Sequence, residues 1–392
     1  MALACAGCCL LWLLPAQAAN KDVLGYKFKN GEVYNVKNGE ILSTIADNRS
    51  GTTGTNNRAR AYGLGYNSGK SATIQGSLIR ARSLAWAGTA TGNAAEDVEA
   101  YAYGLCLGAN GTLTSRGSLE ILVMSWGGTA TLSNTSTSSK TAKGSAFAYG
   151  INVDAQNKKL EHTGALNVVA EARGGSVTAT GDKGTAIANG WAYGIRAEGK
   201  NALIQSTGTV AVDARAYGGT ASCEASTTSP GVGADADARA IWANQEGKVN
   251  IDGDAVVLVQ AVSGTAEAKE QGKTAAAKTD ATGRGLAAFG GEIKVTGTTA
   301  VNLLAQGGTA ASAGSGASAR TNAYGVYASG SKGKIELQGA AVIHVQALGG
   351  TASGKDGSNT NNATVMAFGL SAYNGGKIEL QGDAEVTAEA TG

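Results

Sequence analysis

Histidine is almost missing from this chain. His162 and His344 are its only two, about four repeats apart, which leaves no set of side chains for a histidine-based metal centre or a catalytic triad. Proline is as scarce, two residues against 59 glycines, which excludes collagen-like and proline-rich linker sequence. Charge of one sign is not in excess, 32 Lys+Arg against 30 Asp+Glu, so no electrostatic footprint for nucleic acid is expected. Long apolar runs are confined to the first residues, and nothing later approaches the ~20 residues of a membrane-spanning helix. The signatures of a nucleophile elbow and of a zinc peptidase are absent. Gly69-Lys70-Ser71 and Gly272-Lys273-Thr274 resemble the end of a phosphate loop, but Leu64 and Glu267 stand where its first glycine belongs. No cofactor, metal or catalytic residue is expected.

Cysteine is scarce once the N-terminus is read. Residues 1–18 have the pattern of a secretory signal, with Leu10-Leu11-Trp12-Leu13-Leu14 ahead of Ala16-Gln17-Ala18, and they imply export through the Sec translocon. Cys5, Cys8 and Cys9 leave with that segment. Cys106, on an expected strand, and Cys223, in an expected loop, are too far apart in the repeat for a bridge.

What the chain has in quantity is repetition. Gly88, Gly128, Gly175, Gly219, Gly264, Gly308 and Gly350 recur at intervals of 40, 47, 44, 45, 44 and 42 residues, and each is followed by Thr or Ser. A second signature, Ala-Tyr-Gly-aliphatic, runs through Tyr62, Tyr103, Tyr149, Tyr193, Tyr324 and Phe368, with Arg239 and Arg284 at the two intervening steps. Such a period predicts units that bury their apolar faces only against their neighbours.

Ahead of each glycine pair the residues alternate. Ile121, Val168, Val212, Val257, Val301 and Ile343 share one register, and small Ala or Ser residues share another nearer the glycines, consistent with a narrow corner. Period-two alternation means strands with one face in the core. The chain is therefore expected to be all-β, a parallel β-helix or β-solenoid of ~44-residue repeats. One coil per repeat with a protruding loop is the simplest arrangement, and two thinner coils are the alternative. Residues 19–58, with Asn-Gly turns at Asn30-Gly31 and Asn38-Gly39, read as a hairpin-built cap. Residues 59–392 read as about eight units, the last incomplete. The repeated glycine is expected to supply a backbone conformation that a side chain would strain.

Candidate sites are few. The tyrosine column is expected to rim the core, with the arginines lying flat on neighbouring rings. Just before Gly-Gly, Trp86, Trp126, Arg173 and Tyr217 form a possible ligand-contact strip, set against simple packing with the loops. Asp235/Asp237 and Asp252/Asp254 read as solvated charge. No carboxylate column of the kind a polysaccharide-cleaving β-helix needs is visible.

The signal followed by units such as Gly375-Gly376-Lys377-Ile378-Glu379-Leu380-Gln381-Gly382-Asp383-Ala384-Glu385-Val386 resembles the passenger region of autotransporter (type V secreted) adhesins. That resemblance implies a right-handed β-helix displayed outside a bacterial outer membrane. It also implies a C-terminal β-barrel, expected in sequence beyond Gly392. The partners it implies are host glycans or glycoproteins, or identical chains. A polysaccharide-active β-helix and a pure spacer are the alternatives.

Overall fold

The computed structural model describes residues 20–392 apart from 38, 50–55, 67–70, 93–95, 108–110, 135–139, 155–156, 182–183, 225–230, 270–275, 315 and 355–360. The signal segment with Cys5, Cys8 and Cys9, Gly69-Lys70 and Gly272-Lys273-Thr274 lie outside the described residues.

Each repeat winds once around a common axis. In one coil, Gly316–Ser329 lies in a first sheet, Lys334–Leu337 and Ala341–Leu348 lie in a second, and Thr351–Gly354 lies in a third. Every strand pairs in parallel with its counterpart one repeat away, as in Leu286↔Val326↔Leu370 and Val301↔Ile343↔Val386. The fold is thus an all-β parallel β-helix with one coil per repeat, and the thinner two-coil arrangement does not occur. The three sheets contain 11, 16 and 7 strands, and no helix occurs among the described residues. We number the coils 1 to 9 from the N-terminus; coil 1 begins at Asn20 and coil 9 at Asn362.

Two expectations about local structure change. Residues 20–47 form coil 1 and not a hairpin: Asn20–Phe28, Val33–Asn35 and Ile41–Asp47 all pair in parallel with coil 2. Gly31 and Gly39 turn corners of that coil with φ of 74° and 81°. Glu32 and Glu40 fasten these corners by accepting the backbone N–H of Lys29 (2.6 Å) and Lys37 (2.9 Å) and the hydroxyls of Tyr26 and Tyr34. The stretch after each glycine of the signature, where Cys223 was expected in a loop, opens with a short strand of the third sheet. Cys223 lies there, buried on the strand Thr220–Glu224. Cys106 is on the strand Glu96–Leu107, Cys223 Sγ donates to the Gly184 carbonyl at 3.3 Å, and no disulfide joins the two cysteines.

The core is a stack of like residues. Leu64, Leu105, Ile151, Ile195, Ile241, Leu286 and Val326 form one buried column of the first sheet. Facing it from the second sheet are Ile121, Val168, Val212, Val257, Val301 and Ile343. The glycine of Ala-Tyr-Gly lets the two sheets approach: a Cβ at Gly104 would lie 2.2 Å from Cγ2 of Ile121. So many buried alanines leave a thin interior, in which burial of about 25 cal/mol per Å² comes from length and not from depth.

The glycines of the main signature serve close approach, not a left-handed backbone. None of them has a φ in the positive range. A Cβ on Gly175, Gly219, Gly264 or Gly308 would stand 1.8–1.9 Å from the carbonyl oxygen of the corresponding glycine one coil back. The chain turns into the third sheet here, and the coils touch backbone to backbone.

Candidate functional site

The outer face of the first sheet carries the tyrosines. In the Ala-Tyr-Gly signature the alanine points inward and is buried, so the tyrosine points out; the column does not rim the core as expected. Parallel register then sets each ring over the next. Tyr62–Tyr103, Tyr103–Tyr149 and Tyr149–Tyr193 have centroids 4.8, 4.9 and 5.1 Å apart, with interplanar angles of 3°, 5° and 24°. These distances follow from the ~4.8 Å strand spacing. Mutual burial raises the pKa of Tyr62, Tyr103, Tyr149 and Tyr193.

Stacking decides what this column can do. Tyr103 and Tyr149 have a ring against each face, so neither face is open to a sugar ring, and only edges and hydroxyls reach solvent. A second outward ladder, Tyr101–Phe147–Trp191, runs beside it with centroids 4.4 Å apart.

Arg239 and Arg284 lie over rings, as the sequence suggested. Arg239 is 5.3 Å from the centroid of Tyr193 and 4.5 Å from that of Trp242; Arg284 is 5.4 Å from that of Tyr324. Asp237 forms a two-pronged pair with Arg239 at 3.0 and 2.5 Å and reaches Arg284 at 3.5 Å. Asp237 is therefore a partly buried counter-ion and not solvated charge, and burial raises the pKa of its neighbour Asp235. Asp252 and Asp254 are exposed and accept hydrogen bonds from Thr296 and Thr298.

The expected contact strip is assembled by the register Trp86↔Trp126↔Arg173↔Tyr217. Trp86 and Trp126 stack at 4.8 Å, Arg49 lies 5.3 Å from the Trp86 ring, and Arg173 lies 4.9 Å from the Tyr217 ring. Tyr217 Oη donates to Gln260 Oε1 at 3.0 Å, and Arg173 Nε donates to Glu171 Oε1 at 2.6 Å. Its residues are largely occupied with one another.

Neither histidine belongs to a site. His162 is buried between Ser115 Oγ and the Ala165 carbonyl, each 3.2 Å away, and burial lowers its pKa. His344 points outward on its strand, as expected. Burial pushes the Cys106 thiol up to about 11, far from a reactive thiolate. Among the described residues no group of three His, Cys, Asp or Glu is placed to hold a metal ion.

A feature that the sequence reading passed over is the outward face of one column of strands in the second sheet, in coils 6 to 8. The strands Ala255–Val262, Thr299–Gln306 and Ala341–Leu348 hold no Asp, Glu, Lys or Arg. Val256, Leu258 and Val342 point outward there, 42%, 44% and 52% exposed. Charge returns on either side, at Asp213 and Arg215 in coil 5 and at Glu385 and Glu389 in coil 9. Three adjacent uncharged strands were the available signal. No family model matches this chain, and no curated protein or solved structure is found to be similar to it.

Proposed function

We propose that this chain is the non-enzymatic, surface-displayed stalk of an autotransporter-type adhesin, and that it works by associating with identical chains. The observation that carries this reading is the uncharged outer face of the three strands Ala255–Val262, Thr299–Gln306 and Ala341–Leu348, with Val256, Leu258 and Val342 exposed. Exposed apolar surface bounded by charge is characteristic of a contact surface. Two such faces set against each other would interdigitate as stacked sheets do, ~10 Å apart.

Three strands of eight residues cover about 14 by 26 Å, or roughly 370 Å² per copy, from the standard strand spacing and rise. That is less than half of the ~800 Å² per partner typical of a stable complex. A single contact is accordingly weak, and adhesion would rest on many chains held at high local concentration on a surface. Export and display rest on the signal-like residues 1–18 and on the resemblance of the repeats to passenger regions. The closed ring faces of Tyr103 and Tyr149 favour self-association over sugar stacking by the tyrosine column.

Sedimentation of the secreted chain over a wide concentration range tests the reading. Reversible association is expected, and Leu258→Lys with Val342→Lys abolishes it by placing like charges opposite each other. A native chain that stays monomeric at the highest concentration, in solution and tethered to beads, rules the reading out. Trp86→Ala, Trp126→Ala and Tyr217→Ala should leave association unchanged.

A further inference from the structure

Beside the ends of the first-sheet strands of coils 4 and 5 and the turn that follows in coil 6 lies an open cleft of about 620 Å³. Asp154, Arg196, Glu198, Lys200, Gln245 and Glu246 line it. The volume falls in the range of small-ligand sites. Its charged groups are held in place by partners. Asp154 accepts from Lys158 at 3.2 Å and from Asn152 at 3.1 Å; Glu198 pairs with Arg196 and accepts from Asn244 at 3.0 Å; Glu246 accepts from Lys332 at 2.6 Å. The Arg196 guanidinium lies 4.9 Å from the Trp242 centroid and 5.6 Å from that of Tyr149, and its Nε is shielded and meets no acceptor.

A second observation singles out the coil 6 corner. Asn244–Gly247 is a tight turn, closed by the Gly247 N–H donating to the Asn244 carbonyl at 2.8 Å. Both central residues, Gln245 and Glu246, have positive φ, 49° and 69°. Turns of this kind favour Asn-Gly. Coil 9 builds the equivalent turn, Tyr373–Gly376, with Asn374 and Gly375 at φ of 50° and 82°. Coil 6 instead holds two long side chains in a conformation that disfavours them, and both line the cleft. The Glu246–Lys332 pair does not account for this, since its side chains are 44% and 67% exposed and such pairs stabilise little. Strain kept in place beside a cavity points to a use for the side chains.

The chemistry of the lining narrows the ligand. Acids and bases nearly cancel, which gives no preference for an anion or a cation. Paired carboxylates still have acceptor sites to spare, and Arg, Lys and Gln supply donors in fixed directions. Many oriented donors and acceptors without net charge match a polyhydroxylated molecule. We propose that the corner cleft of coils 4 to 6 is a binding site for a neutral saccharide. Its hydroxyls donate to Asp154, Glu198 and Glu246, and its oxygens accept from Arg196, Lys200 and the Gln245 amide. This site is separate from the uncharged face of the second sheet and does not depend on association between chains.

Titration calorimetry and saturation-transfer NMR with maltohexaose, cellohexaose and mannohexaose test the proposal, beside a heparin hexasaccharide and inorganic sulfate. At least one neutral hexasaccharide should bind, and Gln245→Asn with Glu246→Gly should weaken it by about tenfold or more, the equivalent of one or two lost hydrogen bonds. That double variant adopts the turn that coil 9 already uses, so it folds, and its loss of binding cannot come from unfolding. Leu258→Lys should bind the saccharide as the native chain does, which separates this site from association. Binding by none of the neutral sugars, binding only by the charged probes, or undiminished binding by the double variant would overturn the proposal.

Discussion

Glu246 and Gly375 occupy the same position of the same turn three coils apart, and both have positive φ, 69° and 82°. Only the glycine is at ease there. A left-handed conformation costs a residue with a side chain roughly 1–2 kcal/mol. Replacing Gln245 and Glu246 by Asn and Gly should raise stability by about 1–2 kcal/mol, less up to ~1 kcal/mol for the exposed Lys332 pair. Denaturant unfolding of the two proteins checks this, and a lower midpoint in the variant would show that the turn is not strained.

The glycine column should tolerate no side chain. A Cβ at Gly219 would stand 1.9 Å from the Gly175 carbonyl oxygen and within 3 Å of the Gly174 carbonyl, backbone atoms with no flexible side chain to give way. Gly219→Ala should cost about 3 kcal/mol or more, or prevent folding. Gly65→Ala is the control, since a Cβ there meets nothing within 4 Å. Circular dichroism and urea titration separate the two outcomes.

The tyrosine stack should contribute through its rings and not its hydroxyls. Tyr149 has a ring 4.9 Å away on one side and 5.1 Å away on the other. Tyr149→Ala should cost about 1–3 kcal/mol by opening a gap in the ladder, whereas Tyr149→Phe should stay within about 0.5 kcal/mol. Equal losses in both variants would shift the weight to the hydroxyl.

Stability should fall in mild acid through His162. Burial lowers its pKa below the ordinary 6.5, so the folded chain binds this proton less readily than the unfolded chain does. The associated stability is therefore present above pH 6.5 and is lost as pH falls through the folded pKa, with a slope of up to about 1.4 kcal/mol per pH unit. His162→Gln should flatten that slope in unfolding curves taken from pH 7.5 to 4.5.

Much of the fold could be read without coordinates, and for a specific reason. In a β-helix every residue pairs with its own counterpart one repeat away, so sequence periodicity and spatial contact are the same information. Ile343 lies against Val301 and Val386 because the three occupy one place in the repeat. Arg239 and Arg284 could be placed against rings for the same reason. Less legible were features that depend on which way a residue faces or how near another chain segment comes. The tyrosines point out because the bend at the following glycine breaks strict alternation, and no periodicity reports that break. Asn30-Gly31 carries the signal of a hairpin, but its strands find partners one coil away.

Repetition by itself determined the strands, their register and the stacking of like on like, because neighbours in space are counterparts in the repeat. Only the tertiary structure decided that successive glycines touch backbone to backbone, that the tyrosine faces are closed, and that the corners of three coils meet around one cleft. Those relations join residues at different places in the repeat, across a turn or across the core. Distance there is set by the path of the coil, and no period in the sequence records it.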